Sequence, residues 1–464
     1  MKKQLIVLSA AAMVAAAAVP ALAFENEFHG MYRAYGYVTN TYSAAPATAA
    51  STLPGVAGTA GPAVSLSANP RTVNYVEQRA RLQYIAKAND DLKLVTHFEL
   101  DTLFGGGTAT KYQGNDAGGL DADQVTLETK NVYLDFNIPA APLNVKIGIQ
   151  PYNDAFQGTF GNFDGSGVLA TAKLGMLTPS LGWFRVAEST GSATSRFFPG
   201  KNSNELLALN VKAALSKDIT VGGSYYYLGK DINAFSATAP SAQVVHTLGV
   251  DAAAKVGPAA LTAFGAYQMG EYSENRDLAA YALGAVAKVN LGLGNVNVAA
   301  LYLSGSKDTT ASAAGGDYKG WQQLAPNGAT SYFGASNMWL LIRNNATINT
   351  STAIGGTDLA KGGRGFLGLF AGFDGKADKL FYSANVGYAQ TAEERGSEDG
   401  TIGTEVNATV GYKMYDNLAV SLTGAYAMLG DGMGGKTADL LTGLGGAADA
   451  KDPFMTNIRI DYTF

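Results

Sequence analysis

The chain has 464 residues, of which 15% are charged and 57 are glycine, and its formal net charge is −5 at neutral pH. Soluble globular proteins usually have about 25% charged residues and about 7% glycine, so an ordinary soluble enzyme is disfavoured. The 24 tyrosines and 20 phenylalanines equally disfavour a disordered chain.

Cysteine and histidine usage restricts the chemistry further. The chain has no cysteine, which excludes disulfides, thiolate metal sites and covalent haem attachment. The three histidines, His29, His97 and His246, leave little material for a metal site or a histidine-based catalytic triad. We therefore expect no cofactor and no bound metal.

Residues 1–23 predict a cleaved signal peptide. Two lysines precede an apolar run over 5–19, and Ala-Leu-Ala at 21–23 supplies the small-residue cleavage pattern. The run is short for a spanning helix, and no later stretch approaches 18 uninterrupted apolar residues. Loss of two lysines takes the charge of the mature chain, 24–464, from −5 to −7, which disfavours a nucleic-acid-binding protein.

Apolar and polar residues alternate with a period of two along the mature chain. In one such stretch, Leu82 and Tyr84 alternate with Arg81 and Gln83. A strand with one face against lipid and the other against water needs this pattern. Because Glu, Arg, Lys and Asp occupy the polar parity of successive strands, that face must meet water rather than a closed core.

The alternation and the linkers together predict an all-β fold, a transmembrane antiparallel β-barrel of 16–18 strands, with 18 favoured. Short turns alternate with long linkers rich in Gly, Ala, Ser and Thr, as in barrels with short periplasmic turns and long extracellular loops. The weakest predicted strands, 168–177 and 182–187, decide between 16 and 18. The predicted strands are 28–39, 73–88, 92–104, 124–138, 143–150, 168–177, 182–187, 204–215, 219–228, 243–256, 259–270, 278–291, 295–304, 365–374, 380–390, 401–414, 418–429 and 454–464.

The chain resembles a Gram-negative outer-membrane porin of the general diffusion type. The resemblance rests on the ending of the signal peptide, the alternating strands and the C-terminal sequence Asp461-Tyr462-Thr463-Phe464. It implies an integral protein of the outer membrane that contacts lipid and forms a homotrimer. It also implies that Tyr462 and Phe464 form the assembly signal read by the barrel-insertion machinery.

Parity assigns a group of charged residues to the inward faces of strands that become neighbours when the barrel closes. General porins set such a basic wall opposite acids of the third loop, so the resemblance implies a transverse field across a constriction. The alternative is that these residues pair with their neighbours and line a wide lumen. They are Arg33, Glu77, Arg79, Arg81, Lys93, Glu99, Asp101 and Arg459.

Two irregular segments are candidates for narrowing the lumen. The resemblance implies that the loop after the fifth strand, 151–167, folds inward with Asp154 and Asp164, although the acidic motif of enteric general porins is absent. The alternative is an ordinary solvated loop. The longest linker, 305–363, is predicted to be extracellular or folded into the lumen, with Met338–Ile342 as a short helix or an inward segment.

The predicted function is passive diffusion of small hydrophilic solutes and ions across the outer membrane, with weak selectivity for cations. A barrel of this size encloses an aqueous channel, and permeation requires no chemical step. One alternative is a scaffold or sheath barrel around a partner protein, such as an electron-carrying cytochrome. A less favoured alternative is a barrel enzyme with a Ser/His or Asp/His site at the rim.

Overall fold

The computed structural model describes the alternating segments of the chain and several of the connections between them. The predicted signal peptide lies outside the described residues, so its cleavage stays a prediction. The described residues are 25–41, 70–105, 127–188, 203–230, 243–273, 276–307, 316–324, 332–342, 359–360, 362–394, 399–431 and 451–464.

Antiparallel strands provide almost all the regular structure in these ranges. A 3-10 helix covers Gly334–Ser336. Across the described ranges, no helix is long and apolar enough to cross a membrane. The strands are β1 (Glu25–Thr39), β2 (Val73–Asn89), β3 (Leu92–Leu103), β4 (Glu128–Asn137), β5 (Leu143–Asn153), β6 (Asn162–Ala172), β7 (Leu177–Glu188), β8 (Ser203–Ala214), β9 (Ile219–Lys230), β10 (Gln243–Val256), β11 (Ala259–Ser273), β12 (Arg276–Asn290), β13 (Asn295–Leu303), β14 (Phe366–Ala377), β15 (Leu380–Gln390), β16 (Thr401–Tyr415), β17 (Leu418–Leu429) and β18 (Phe454–Thr463).

The sheet closes on itself into a barrel. β1 pairs with β2 on one side and with β18 on the other, and each remaining strand pairs with its neighbours in sequence. This confirms the predicted all-β antiparallel barrel and sets the strand number at 18. At the rim that holds Glu25 and Phe464 the turns are short, and we call it the short-turn rim. The opposite, long-loop rim includes the connection 104–127 between β3 and β4.

The connection between β5 and β6 is shorter than the predicted constriction loop. β5 continues to Asn153 and β6 begins at Asn162, so much of the predicted segment 151–167 is strand. The residues that connect the two strands are 154–161, which we call the inner turn. A shorter turn held by two paired strands is better anchored than a loop, because every strand residue up to its base contributes ladder hydrogen bonds.

The predicted bounds 168–177 and 182–187 for β6 and β7 are wrong because the sequence here has too few side chains to show alternation. The inward positions Gly165 and Gly167 lie beneath the rings of Phe163 and Phe184. A Cβ at Gly167 would come within 2.5 Å of the Phe184 ring and 2.2 Å of a backbone oxygen. Glycine therefore replaces the inward apolar or polar residue that a period-two pattern needs.

Large apolar side chains cover the outside of the barrel. Leu, Ile and Val dominate the middle of the outward faces, and aromatic residues are added towards both rims. This arrangement is typical of barrels whose outer surface meets the hydrocarbon and headgroup layers of a bilayer. Exposed outward aromatics towards the short-turn rim include Phe28, Tyr412, Tyr462 and Phe464, and those towards the long-loop rim include Trp183, Tyr267, Tyr281 and Tyr426.

The seam between the first and last strands ends in a close glycine–phenylalanine pair. The backbone N–H of Gly30 donates to the Phe464 carbonyl at 2.9 Å, and the Phe464 N–H donates to the Gly30 carbonyl at 3.0 Å. The Phe464 ring lies over Gly30, where an added Cβ would come within 2.3 Å of the ring. Gly30 thus provides the space in which the C-terminal ring packs.

Candidate functional site

The interior of the barrel is the candidate site, and two chain segments fold into it. The first is the inner turn, 154–161. The second comprises 316–324 and 332–342, both from the connection between β13 and β14, and we call these two stretches the lumen segment. The described part of the predicted linker 305–363 therefore includes chain that packs on the inward faces of the barrel strands.

Asp154 organises the inner turn. Its two carboxylate oxygens accept the backbone N–H groups of Phe156, Gly158, Phe160 and Gly161 at 2.7–2.8 Å. Burial raises the pKa of Asp154, and the four N–H groups oppose that rise because they favour the charged form. Both oxygens of the Asp154 carboxylate are therefore occupied by hydrogen bonds within the turn.

The inner turn packs on the inward faces of β9, β10 and β11. The Phe156 ring lies 5.3 Å from the Tyr226 ring and 5.7 Å from the Phe264 ring, measured between centroids. A Cβ at Gly249 of β10 would come within 2.2 Å of the Phe156 ring, so this glycine leaves room for it. The Ala155 N–H also donates to the Tyr226 hydroxyl at 2.8 Å. These contacts hold the turn inside the barrel.

The lumen segment is joined to the inner turn by hydrogen bonds. Trp321 Nε1 donates to the Thr159 carbonyl at 3.1 Å. The Leu324 N–H donates to the Phe160 carbonyl at 2.9 Å, and the Tyr332 N–H donates to the Gly158 carbonyl at 3.1 Å. The two segments thus form a continuous bridge within the barrel.

The far end of the lumen segment packs on β14, β15 and β16. Met338–Ile342 are all buried without forming a helix, so of the two predicted forms the structure has the inward segment. Phe333 contacts Phe370 of β14 with 6.2 Å between ring centroids, and Trp339 meets Tyr35 of β1 edge-on at 6.4 Å. The bridge therefore extends from β9–β11 to β14–β16 and β1.

The predicted charged residues of β18, β1, β2 and β3 lie together on one wall of the interior, which we call the charged wall. The register places Arg33 opposite Arg79 and Asp461, and it places Arg79 opposite Asp101. The outward neighbour Leu82 is 42% exposed. The parity predicted for these strands therefore matches the structure. Members of the charged wall are Arg33, Glu77, Arg79, Arg81, Lys93, Glu99, Asp101 and Arg459.

Ion pairs connect the bases of the charged wall to neighbouring acids. Arg79 Nε donates to Asp101 Oδ1 at 2.7 Å, and its Nη2 lies 3.1 Å from Glu99 Oε1. Arg81 pairs with Glu99 as well. The bases of the wall thus pair with acids on neighbouring strands. This pairing is the alternative that the sequence analysis gave to a transverse field.

The remaining bases of the wall pair in the same way. Arg33 and Arg459 both pair with Asp461, and Lys93 Nζ lies 3.4 Å from Asp135 Oδ2 of β4. Asp461 and Asp135 were missed as wall residues in the sequence analysis. Both could have been recognised from the sequence, because each lies on the inward parity of its strand and next to a predicted base.

The two predicted loop acids do not face the charged wall. Asp154 directs both carboxylate oxygens to the backbone of its own turn. Asp164 lies in β6 on the outward parity, opposite Pro151, and its carboxylate binds Lys130 and Asn131. The structure therefore does not bring loop acids opposite the arginines, as the predicted transverse field requires.

The histidines lie apart from one another. His29 and His97 are in β1 and β3, and His246 is in β10 beside Tyr225 and Tyr227. Within the described ranges, no group of three or more His, Asp or Glu side chains is arranged to hold a metal ion.

Removal of the Asp154 carboxylate is expected to loosen the inner turn. Asp154→Ala leaves four buried N–H groups without their acceptor, and each unsatisfied donor costs about 1–3 kcal/mol. We expect chymotrypsin to cleave at Phe156 or Phe160 about tenfold faster in the folded barrel, as local opening exposes the turn. The measurement is a cleavage time course in detergent, with Asp164→Ala as the matched control. Equal rates in Asp154→Ala and the unmodified chain would contradict this role.

Comparison with solved structures shows what this fold is similar to. The chain matches Pseudomonas aeruginosa OccK3 (OpdO) with a TM-score of 0.53 and 11% identity, covering 94% of this chain and 96% of that one. It matches Acinetobacter baumannii OccAB1 with a TM-score of 0.53 and 12% identity, covering 95% and 96%. It also matches P. aeruginosa OccK2 (OpdF), solved in complex with glucuronate, with a TM-score of 0.51 and 11% identity, covering 95% and 98%.

No protein family matches the sequence, and no curated protein matches it significantly. At this low identity the structural likeness establishes the fold, a porin-like barrel. The similar structures named here are Occ and Opd proteins, and a likeness at this identity does not extend to the narrower resemblance to general diffusion porins.

Proposed function

We propose that this protein is a passive channel for small hydrophilic solutes and ions in the outer membrane of a Gram-negative bacterium. The observation that carries the proposal is the contrast between the two surfaces of the closed barrel. The outside bears a belt of Leu, Ile and Val with aromatic residues towards both rims, and the interior bears the charged wall. A barrel in lipid needs the first surface, and an aqueous path needs the second.

The proposed path runs along the charged wall. The bridge of the inner turn and the lumen segment occupies the sides formed by β9–β11 and β14–β16, and it contacts β1 at Tyr35. The side formed by β18 and β1–β5 carries the ion pairs, and Arg81 and Lys93 have side chains that are 26% and 39% exposed. Solutes would therefore pass between the bridge and the charged wall, where fixed charges sort them by sign.

The balance of charge on this wall supports weak selectivity. Arg79 and Arg81 are compensated by Glu99 and Asp101. Paired charges produce a smaller field along the path than a single-sign wall would. The net charge of −7 expected for the mature chain adds a modest preference for cations.

The glucuronate bound to OccK2, a barrel of the same fold, suggests one solute to test. Glucuronate is a small hydrophilic carboxylate that could exchange for Glu99 or Asp101 as a partner of the arginines. It belongs in the solute panel beside a neutral sugar of the same size.

Single-channel conductance in a planar bilayer tests the proposal. We expect stepwise, ohmic conductance and a small cationic reversal potential in a salt gradient, together with swelling of proteoliposomes in small sugars. Folded barrel that inserts without conducting or swelling would refute the channel function.

The described residues support the two alternatives less well than they support a channel. A sheath barrel needs interior space for its partner, whereas the bridge occupies part of this interior. A rim enzyme needs a histidine beside a nucleophile or an acid at the rim. His29 Nε2 lies 3.4 Å from Glu27 Oε2 at the short-turn rim, and Glu27 also pairs with Lys87. His246 contacts tyrosines on the outer face.

The oligomeric state of the protein and its route into the membrane are also proposals. We propose a homotrimer, insertion by the barrel-assembly machinery and contact of the outward faces with outer-membrane lipid. The mass of the particle in mild detergent distinguishes a trimer from a monomer.

A further inference from the structure

Glu405 of β16 is a buried carboxylate in the wall of the barrel. It faces inward, is fully buried, and among the described residues forms no ion pair with Lys, Arg or His. A carboxylate buried without a cation is unfavourable unless hydrogen bonds satisfy it. The groups that satisfy Glu405 therefore indicate its role.

Three consecutive backbone N–H groups of the lumen segment donate to Glu405. Trp339 donates to Oε1 at 2.8 Å, Leu340 donates to Oε2 at 2.8 Å, and Leu341 donates to Oε2 at 2.9 Å. Asn407, two residues further along β16, donates to Glu405 Oε1 at 2.9 Å and to the Asn337 carbonyl at 3.0 Å. The segment 337–341 is thus attached to the strand wall mainly through one side chain.

The wall beside Glu405 is shaped to receive the same segment. A Cβ at Gly387 of β15 would come within 2.5 Å of Met338 Sδ and 2.7 Å of the Phe370 ring. Met338 therefore packs where the wall has no side chain. The contact of Trp339 with Tyr35 adds a third point of attachment, on β1.

We infer that Glu405 is the positioning residue that holds the lumen segment in the passage and so sets the conductance of the channel. The inference rests on the proposed channel function. The lumen segment is the part of the bridge that meets β14–β16 and β1. If 337–341 left the wall, this part of the bridge would lose its anchor and the passage would change its width.

Replacement of Glu405 with Gln tests the inference, because the two side chains have nearly the same shape. In Glu405→Gln the amide group presents a donor where the carboxylate accepts, so one or more of the three N–H groups loses its acceptor. We expect the ratio of released to attached segment to rise about tenfold or more. In single-channel records this appears as an added state of higher conductance and frequent transitions. Glu405→Asp retains the charge and should restore part of the single-state behaviour.

A second measurement reports the segment without relying on conductance. The chain has no cysteine, so Ser336→Cys places one thiol in the segment at a position that is 4% exposed. We expect a water-soluble maleimide to label this thiol slowly in the unmodified background and about tenfold faster with Glu405→Gln. Ser216→Cys, in an exposed turn at the short-turn rim, corrects for reagent reactivity.

Two further variants complete the design. Asp374→Asn removes another inward carboxylate, one that binds Asn295, Asn297 and Lys288 rather than the segment. It should leave the conductance states and the Ser336→Cys labelling unchanged. Asn407→Ala removes the donor to Glu405 and to Asn337 and should produce an intermediate effect. It also keeps the inference testable if Glu405→Gln yields no folded barrel.

The outcomes separate the inference from the function. Unchanged labelling and unchanged conductance in Glu405→Gln and Asn407→Ala would overturn the positioning role. Faster labelling in a barrel that never conducts would support the attachment of the segment by Glu405 while refuting both the channel function and the conductance effect.

Discussion

The double variant Arg79→Gln/Arg81→Gln is expected to shift the reversal potential strongly towards cations. It removes two positive charges from the charged wall and leaves Glu99 and Asp101 without their partners. Two uncompensated carboxylates at a narrow, partly buried place lie closer to a permeating ion than charges at the mouth do. Their attraction for cations is also screened less by salt. We expect the cation-to-anion permeability ratio to rise about threefold or more, measured in a salt gradient across a planar bilayer.

The matched control for this prediction removes the partners instead. Glu99→Gln/Asp101→Asn leaves both arginines in place, so the reversal potential should move towards anions by a similar amount. Both variants must retain the heat-modifiable band of a folded barrel. If neither variant changes the conductance or the reversal potential, the permeation path does not run along the charged wall.

Deletion of Phe464 is expected to reduce the yield of folded barrel by about tenfold, because the seam between β1 and β18 loses its last pair. Gly30 would lose the partners of its N–H and its carbonyl, and the space beneath the ring would be open. The measurement is the fraction of heat-modifiable protein in the outer membrane, with export monitored separately.

Two substitutions separate the ring of Phe464 from its backbone pairing. Phe464→Ala retains both backbone hydrogen bonds, so a loss as large as that of the deletion would assign the effect to the ring, as the predicted assembly signal requires. Gly30→Val displaces the ring while leaving Phe464 in place, and it should also reduce the yield. Gly424→Val is the matched control, because a Cβ at Gly424 meets no atom closer than 4.0 Å. Normal folded yield in both the deletion and Gly30→Val would contradict the seam argument.

Strand positions and faces were largely readable because a strand repeats every two residues and its two faces meet different solvents. The bounds 243–256, 380–390 and 418–429 agree with β10, β15 and β17. The sequence analysis also placed Arg79 and Glu99 on the same face without knowing the register that brings them together. The alternation is a local property, and it survives in any barrel that presents one face to lipid.

The pattern failed where rings of the wall itself take the place of inward side chains. At Gly165 and Gly167 the inward side chains are missing because the rings of Phe163 and Phe184, from β6 and β7, occupy their space, and the predicted bounds of these two strands were wrong there. Asp154 was predicted to be an acid of the passage, yet its geometry makes it an acceptor for its own turn. A carboxylate looks the same in a sequence whether water or backbone N–H groups surround it.

The sequence by itself determined that the chain is a barrel with an apolar outside and a polar, charged inside, since a strict two-residue period carries that information locally. Only the tertiary structure decided what occupies the inside. Trp321 and Thr159 are 162 positions apart, and Leu340 and Glu405 are 65 apart. Such contacts have no period and no motif, because they depend on where closure of the sheet brings distant strands. The bridge, and with it the course of the proposed passage, follows from closure and not from any single segment of the chain.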